Sequence, residues 1–106
     1  MAKYMIQASY TPEGLKGLMK DKASGRRAAV EAAAKSIGGS VESCYFTFGS
    51  DDVIVILDVP DNATAAAMSL AAAASGAVRI RTTPLLTVEE VDRALGMKTK
   101  YKAPGK

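Results

Sequence analysis

The sequence predicts a single α+β domain: a four-stranded antiparallel sheet, two crossover helices on one of its faces, and a further helix at the C-terminus. Three observations predict it. Strand-like and helix-like hydrophobic periods follow one another in the order strand, helix, strand, strand, helix, strand, helix. The connection around Gly49-Ser50-Asp51 is too short for a crossover, so the second and third strands pair as an antiparallel hairpin. The chain has 106 residues, 48% of them hydrophobic, which suits one core and not two.

Each element has its own local signature. In residues 3–10, Tyr4, Ile6, Ala8 and Tyr10 alternate with Met5, Gln7 and Ser9, the period of a strand. Thr11-Pro12-Glu13 then opens a helix: threonine caps, proline suits the first helical position, and glutamate favours the positive end of the dipole. Gly14 and Gly17 weaken this first piece, and a break is expected between Asp21 and Ser24. Beyond it Val30, Ala33, Ala34 and Ile37 fall on one helical face, and Gly38-Gly39 ends the crossover, which spans residues 12–38. The second strand, residues 40–48, is expected to turn Val41, Ser43, Tyr45 and Thr47 one way and Glu42, Cys44, Phe46 and Phe48 the other.

The third strand, residues 52–59, carries the unbroken run Val53-Ile54-Val55-Ile56-Leu57, which predicts a central strand covered on both faces. Pro60-Asp61-Asn62 ends it and caps the second helix. That helix is expected to bury Ala63, Ala66, Ala67, Leu70, Ala71 and Ala74, with Ser75-Gly76 as its stop. In the fourth strand, residues 77–83, Val78, Ile80 and Thr82 alternate with Arg79 and Arg81, and Pro84 is expected to break it. Thr87-Val88-Glu89-Glu90 is a capping box for the last helix, striped by Val88, Val91 and Leu95. This element order is the ferredoxin-like split βαβ arrangement. Both crossovers lie on one face, so the other face is open and apolar at its centre, and a second copy of the chain is the expected cover.

Composition narrows the function. The chain has no histidine and one cysteine, which excludes histidine-based triads, histidine-ligated zinc and an intramolecular disulfide. No cofactor and no metal is expected. No apolar run approaches the roughly 20 residues of a membrane span. The first ten residues are too short and too polar for a secretory leader, so a cytoplasmic protein is expected. The net charge is +3, but Lys98, Lys100, Lys102 and Lys106 lie in the last ten residues. Residues 1–96 therefore form the domain and residues 97–106 a basic, flexible tail, read as a solvated terminus or else as an arm for a phosphate or an acidic partner. Nucleic acid is disfavoured as a partner because the aliphatic third strand offers no stacking platform.

Several side chains are candidates for chemistry. Arg79 and Arg81 are two residues apart on a strand, so they share a face and form a clamp for a carboxylate or phosphate, or else the solvated charge of an edge strand. Tyr4, Tyr10 and Tyr45 either wall a pocket or pack in the core with a satisfied hydroxyl. Asp51 and Asp52 sit at the hairpin turn, where a carboxylate binds a cation, serves as a general base, or bonds nearby backbone amides. Arg26 and Arg27 open a helix segment whose dipole disfavours cations, which suggests an anion or a subunit opposite them. Cys44 reads as an inert thiol.

The ordered series of segments resembles the GYD-domain family of small bacterial proteins. It comprises Thr11-Pro12-Glu13-Gly14 after the first strand, Arg26-Arg27 before an alanine-rich helix, and Gly38-Gly39-Ser40-Val41. Tyr45-Phe46-Thr47-Phe48-Gly49, Asp52 to Asp61, Val78-Arg79-Ile80-Arg81-Thr82-Thr83 and a terminal Thr-x-x-Glu helix complete it. The resemblance implies a ferredoxin-like fold of the dimeric α/β-barrel type and implies no reaction. Asp51 stands where the name-giving Gly-Tyr-Asp pattern has its tyrosine, and Asp52 matches its aspartate.

The combined expectation is a cytoplasmic homo-oligomer that assembles through its open sheet face. It binds a small anionic or aromatic ligand there through Arg79, Arg81, Tyr45, Tyr4 and Asp52. The alternative is a cofactor-free enzyme, monooxygenase- or isomerase-like, with Asp52 and Tyr45 as its acid/base groups; this rests on fold analogy.

Overall fold

A computed structural model describes residues Met1–Lys106. Its elements are β1 (Ala2–Tyr10), α1 (Pro12–Ser36), β2 (Ser40–Phe46), β3 (Val53–Val59), α2 (Asn62–Ala74), β4 (Val78–Leu85) and α3 (Val88–Leu95). The four strands form one antiparallel sheet in the order β2-β3-β1-β4. This is the predicted ferredoxin-like arrangement, with β3 and β1 interior and β4 at an edge. No helix is long and apolar enough to cross a membrane.

The helix boundaries follow the capping chemistry. The Thr11 side chain accepts from the Gly14 amide at 3.2 Å, and the Asp61 carboxylate accepts from the Thr64 amide at 2.9 Å. Thr87 and Glu90 form the reciprocal capping box at α3. The start of α1 is also pinned to the turn before β4: the Thr11 amide donates to the Ala77 carbonyl at 3.0 Å. Gly14 permits this approach, because a Cβ there would lie 1.9 Å from the Ala77 oxygen. The expected break in α1 falls at Lys22, whose φ of 66° and ψ of 165° lie in a region that side chains other than glycine's rarely adopt.

Three expectations are corrected. The second strand does not alternate evenly over residues 40–48. It ends at Phe46, and a register shift between Val41 and Ser43 places both Val41 and Cys44 against the helix-side core. A bulge adds one residue and flips the parity of every later position on the strand. The fourth strand does not break at Pro84 but runs to Leu85, with Pro84 opposite Tyr4; an edge strand tolerates proline. The buried stripe of α2 is not the one expected. Ala65 is buried and Met68 packs on the core, while Leu70 is 69% exposed. The Ser69 hydroxyl hydrogen-bonds the Thr82 hydroxyl at 2.6 Å. A helix apolar all round specifies no face by pattern, so the larger Met68 and this polar pair select it.

The core is concentrated at one end of the helix-covered face. Tyr4, Ile6, Leu57 and Val59 pack there with Ala34 of α1 and Ala65 of α2. Towards the other end Tyr10, Val30, Met68 and Val78 are only half-buried, because α1 and α2 part and leave a cleft. α3 carries its apolar residues into solvent, with Val88 and Leu95 exposed. Residues 97–106 form no helix or strand.

Candidate functional site

Strand parity divides the functional side chains between the two faces of the sheet. Tyr4, Ile6, Ala8 and Tyr10 point towards the helices, so Met5, Gln7 and Ser9 point to the open side. Register then fixes the rows across that side. Tyr45, Ile54, Gln7 and Arg81 are successive partners on β2, β3, β1 and β4. The next row is Ser43, Ile56, Met5 and Thr83. The centre of the open face is therefore Met5, Ile54 and Ile56, all half-buried with no helix over them.

Charged groups border this apolar centre at both ends. At one end Lys3 Nζ donates to Glu42 Oε1 at 2.8 Å and to Asp58 Oδ1 at 2.9 Å. Those two hydrogen bonds, that to Glu42 foremost, hold the Lys3 ammonium pKa above its ordinary value. At the other end Asp51 is the hub. Its carboxylate accepts from Arg81 Nη2 at 2.7 Å and from Gln7 Nε2 at 3.3 Å, and Ser9 Oγ donates to the neighbouring Ser50 carbonyl at 3.0 Å. Asp51 thus neutralises Arg81 and ties the turn to β1 and β4. Arg79 lies opposite Ser9 on the same edge and makes no salt bridge.

The expected site residues do not form one pocket within a single chain. Arg79 and Arg81 share the β4 edge of the open face. Tyr45, 70% exposed, stands on β2 at the opposite edge, about 14 Å away at the spacing of three strands. Tyr4 is 3% exposed on the helix face, and its hydroxyl donates to Asn62 Oδ1 at the start of α2. Asp52 faces neither site: its carboxylate accepts from the Tyr10 amide at 2.8 Å, while its own amide donates to the Ala8 carbonyl at 2.8 Å. That is turn chemistry, and it engages one oxygen of the carboxylate named for general-base work. No cluster of three or more acidic or cysteine side chains is placed to hold a metal ion.

The helix side holds what the strand patterns left unassembled. The Arg26 guanidinium lies beside the Tyr10 hydroxyl, where the open end of the core meets the cleft. Burial raises the Tyr10 pKa above the ordinary tyrosine value, and the nearby Arg26 partly offsets this. Burial likewise raises the Cys44 thiol, with Arg27 opposing it. No sequence signal pairs Tyr10 with Arg26, because a long stretch of chain and a helix break separate them. The unfavourable position of Arg26 early in a helix segment was the one local hint.

No curated protein and no solved structure matches the chain. The family model for the GYD domain matches residues 4–95, which take in every strand and helix of the fold except the first two residues of β1. The chain belongs to the GYD-domain family.

Proposed function

We propose that the protein is a cytoplasmic homo-oligomer that pairs through its open sheet face and holds a small anionic or aromatic ligand at that interface. The observation that carries this reading is the apolar centre Met5, Ile54 and Ile56, left half-exposed between two charged borders. An apolar strip in the middle of a sheet is stabilised by removal from water, at roughly 25 cal/mol per Å². A second copy offers the same strip and the same borders, which makes the contact self-complementary.

Pairing also explains why the binding residues lie at opposite edges. If the two-fold axis runs parallel to the strands, the β2 edge of one copy lies over the β4 edge of the other. Tyr45 then faces Arg81 of the partner subunit across a gap of about 10 Å, the usual separation of packed sheets, with Arg79 of the partner subunit about 7 Å further along the same strand. The free cation Arg79 takes the anionic group, Tyr45 supplies an aromatic wall, and Arg81 stays with Asp51. The enzymatic alternative gains no support from Asp52, whose carboxylate holds the Tyr10 amide.

The test is Ile56→Asp, examined by light scattering after gel filtration and by circular dichroism. Its side chain lies outside the core, so the fold is retained, while a carboxylate in the apolar strip dissociates the oligomer. An Ile56→Asp protein that keeps the oligomeric mass of the wild type would refute pairing through this face.

A further inference from the structure

The cleft between α1 and α2 is a second candidate binding site, distinct from the open sheet face. Its volume is about 520 Å³, within the range of small-molecule pockets. Its walls include Leu18, Val30, Ala33, Ala67, Met68 and Ala71. The side chains from α2 are mostly alanines, and Gly17 on α1 adds no side chain, since a Cβ there would meet nothing within 4 Å. The cleft is therefore a slot with flat, apolar sides.

Its floor is polar at one point. Tyr10 and Arg26 both line the cleft and an adjoining smaller cavity of about 100 Å³. Neither side chain has a hydrogen-bonding partner in the chain, although Arg26 lies near the Tyr10 hydroxyl. The one ionic neighbour of Arg26 is Asp21, at 3.6 Å, beyond the range of a charge-assisted hydrogen bond. Asp21 and Glu13 also border the cleft; the Arg26 side chain is 38% exposed against 45% for Asp21, and Tyr10 is half-buried. A partly desolvated guanidinium with free donors, a neutral phenol beside it and apolar walls above is a receptor for a carboxylate on a flat apolar body. Lys22, four residues before Arg26, carries the strained backbone that breaks α1 at this point.

We infer that this cleft binds an aromatic monocarboxylate, with its ring between the alanine-lined walls and its carboxylate on Arg26 and Tyr10. The inference stands independently of how the sheet faces pair. It is tested by titrating the full-length protein with naphthoate and, separately, with the uncharged naphthylmethanol, following backbone amide NMR signals. Naphthoate is expected to saturate with shifts at Tyr10, Gly17, Arg26 and Ala71, and to bind more tightly than the alcohol. Arg26→Gln is expected to weaken naphthoate by roughly tenfold or more, the scale of a lost hydrogen bond to a charged group, and to leave the alcohol unchanged. Gly17→Leu, which fills open space and favours the helix, is expected to exclude both probes. Saturation absent at millimolar naphthoate, equal binding of acid and alcohol, shifts confined to the open sheet face, or an Arg26→Gln protein with undiminished affinity would each overturn the inference.

Discussion

The two faces of β3 carry similar side chains in different surroundings. Val53, Val55, Leu57 and Val59 are buried beneath α1 and α2, while Ile54 and Ile56, no less apolar, stay half-exposed on the other side. An apolar run thus records that both faces need a cover without saying which cover each has. On the helix face the chain supplies its own. On the open face it supplies the charged borders and nothing over the centre. That difference separates what stabilises the single chain from what we propose joins two.

Substitutions sharpen the comparison. Leu57→Ala removes a fully buried side chain and is expected to lower unfolding free energy by about 3 kcal/mol in denaturant titrations. Ile56→Ala is expected to cost under half as much at concentrations dilute enough to separate the copies. Equal losses would break the contrast between the faces. Gly14→Ala is next, at about 2 kcal/mol, because the new Cβ must displace the backbone of Ala77. Thr11→Ala removes the cap of α1 and is expected to lose about 1 kcal/mol.

The smallest effects concern the cleft end of the helix face. Burial raises the Tyr10 pKa in the folded chain, so the folded state resists losing that proton more than the unfolded state does. The stability this gives is complete below the unfolded tyrosine value of about 10 and declines as pH rises through the higher folded value. Alkaline melts should show that decline, and Tyr10→Phe should make it shallower. The Cys44 thiol, also raised by burial, stays protonated at neutral pH. It should react with iodoacetamide more slowly than a free cysteine peptide; equal rates would mean that this end of the core is open to solvent.

Much of this fold was legible because its signals are local. Thr11, Asp61 and the Thr87–Glu90 pair mark helix starts through chemistry confined to three or four residues, and the break near Lys22 followed from weak helix formers before it. The bulge at Val41–Ser43 was not legible, since an extra residue leaves no mark in composition and reverses every later side chain. The buried face of α2 was hidden for the opposite reason: alanine on every side gives no direction until Ser69 meets Thr82. At the site, Arg79 and Arg81 could be placed together by strand period alone. Tyr4 could not be separated from Tyr45, because the parity of each strand relative to the helices is set by tertiary packing. The meeting of Tyr10 with Arg26 depends on where α1 crosses the sheet.

Native mass spectrometry of the purified full-length protein tests the central claim most directly, since it reports subunit number and any retained small molecule together. Pairing through the open face predicts a homo-oligomer at micromolar concentration, with an even number of copies built from face-to-face pairs. A protein that stays monomeric throughout that range would contradict it, and the open face would then need a different partner.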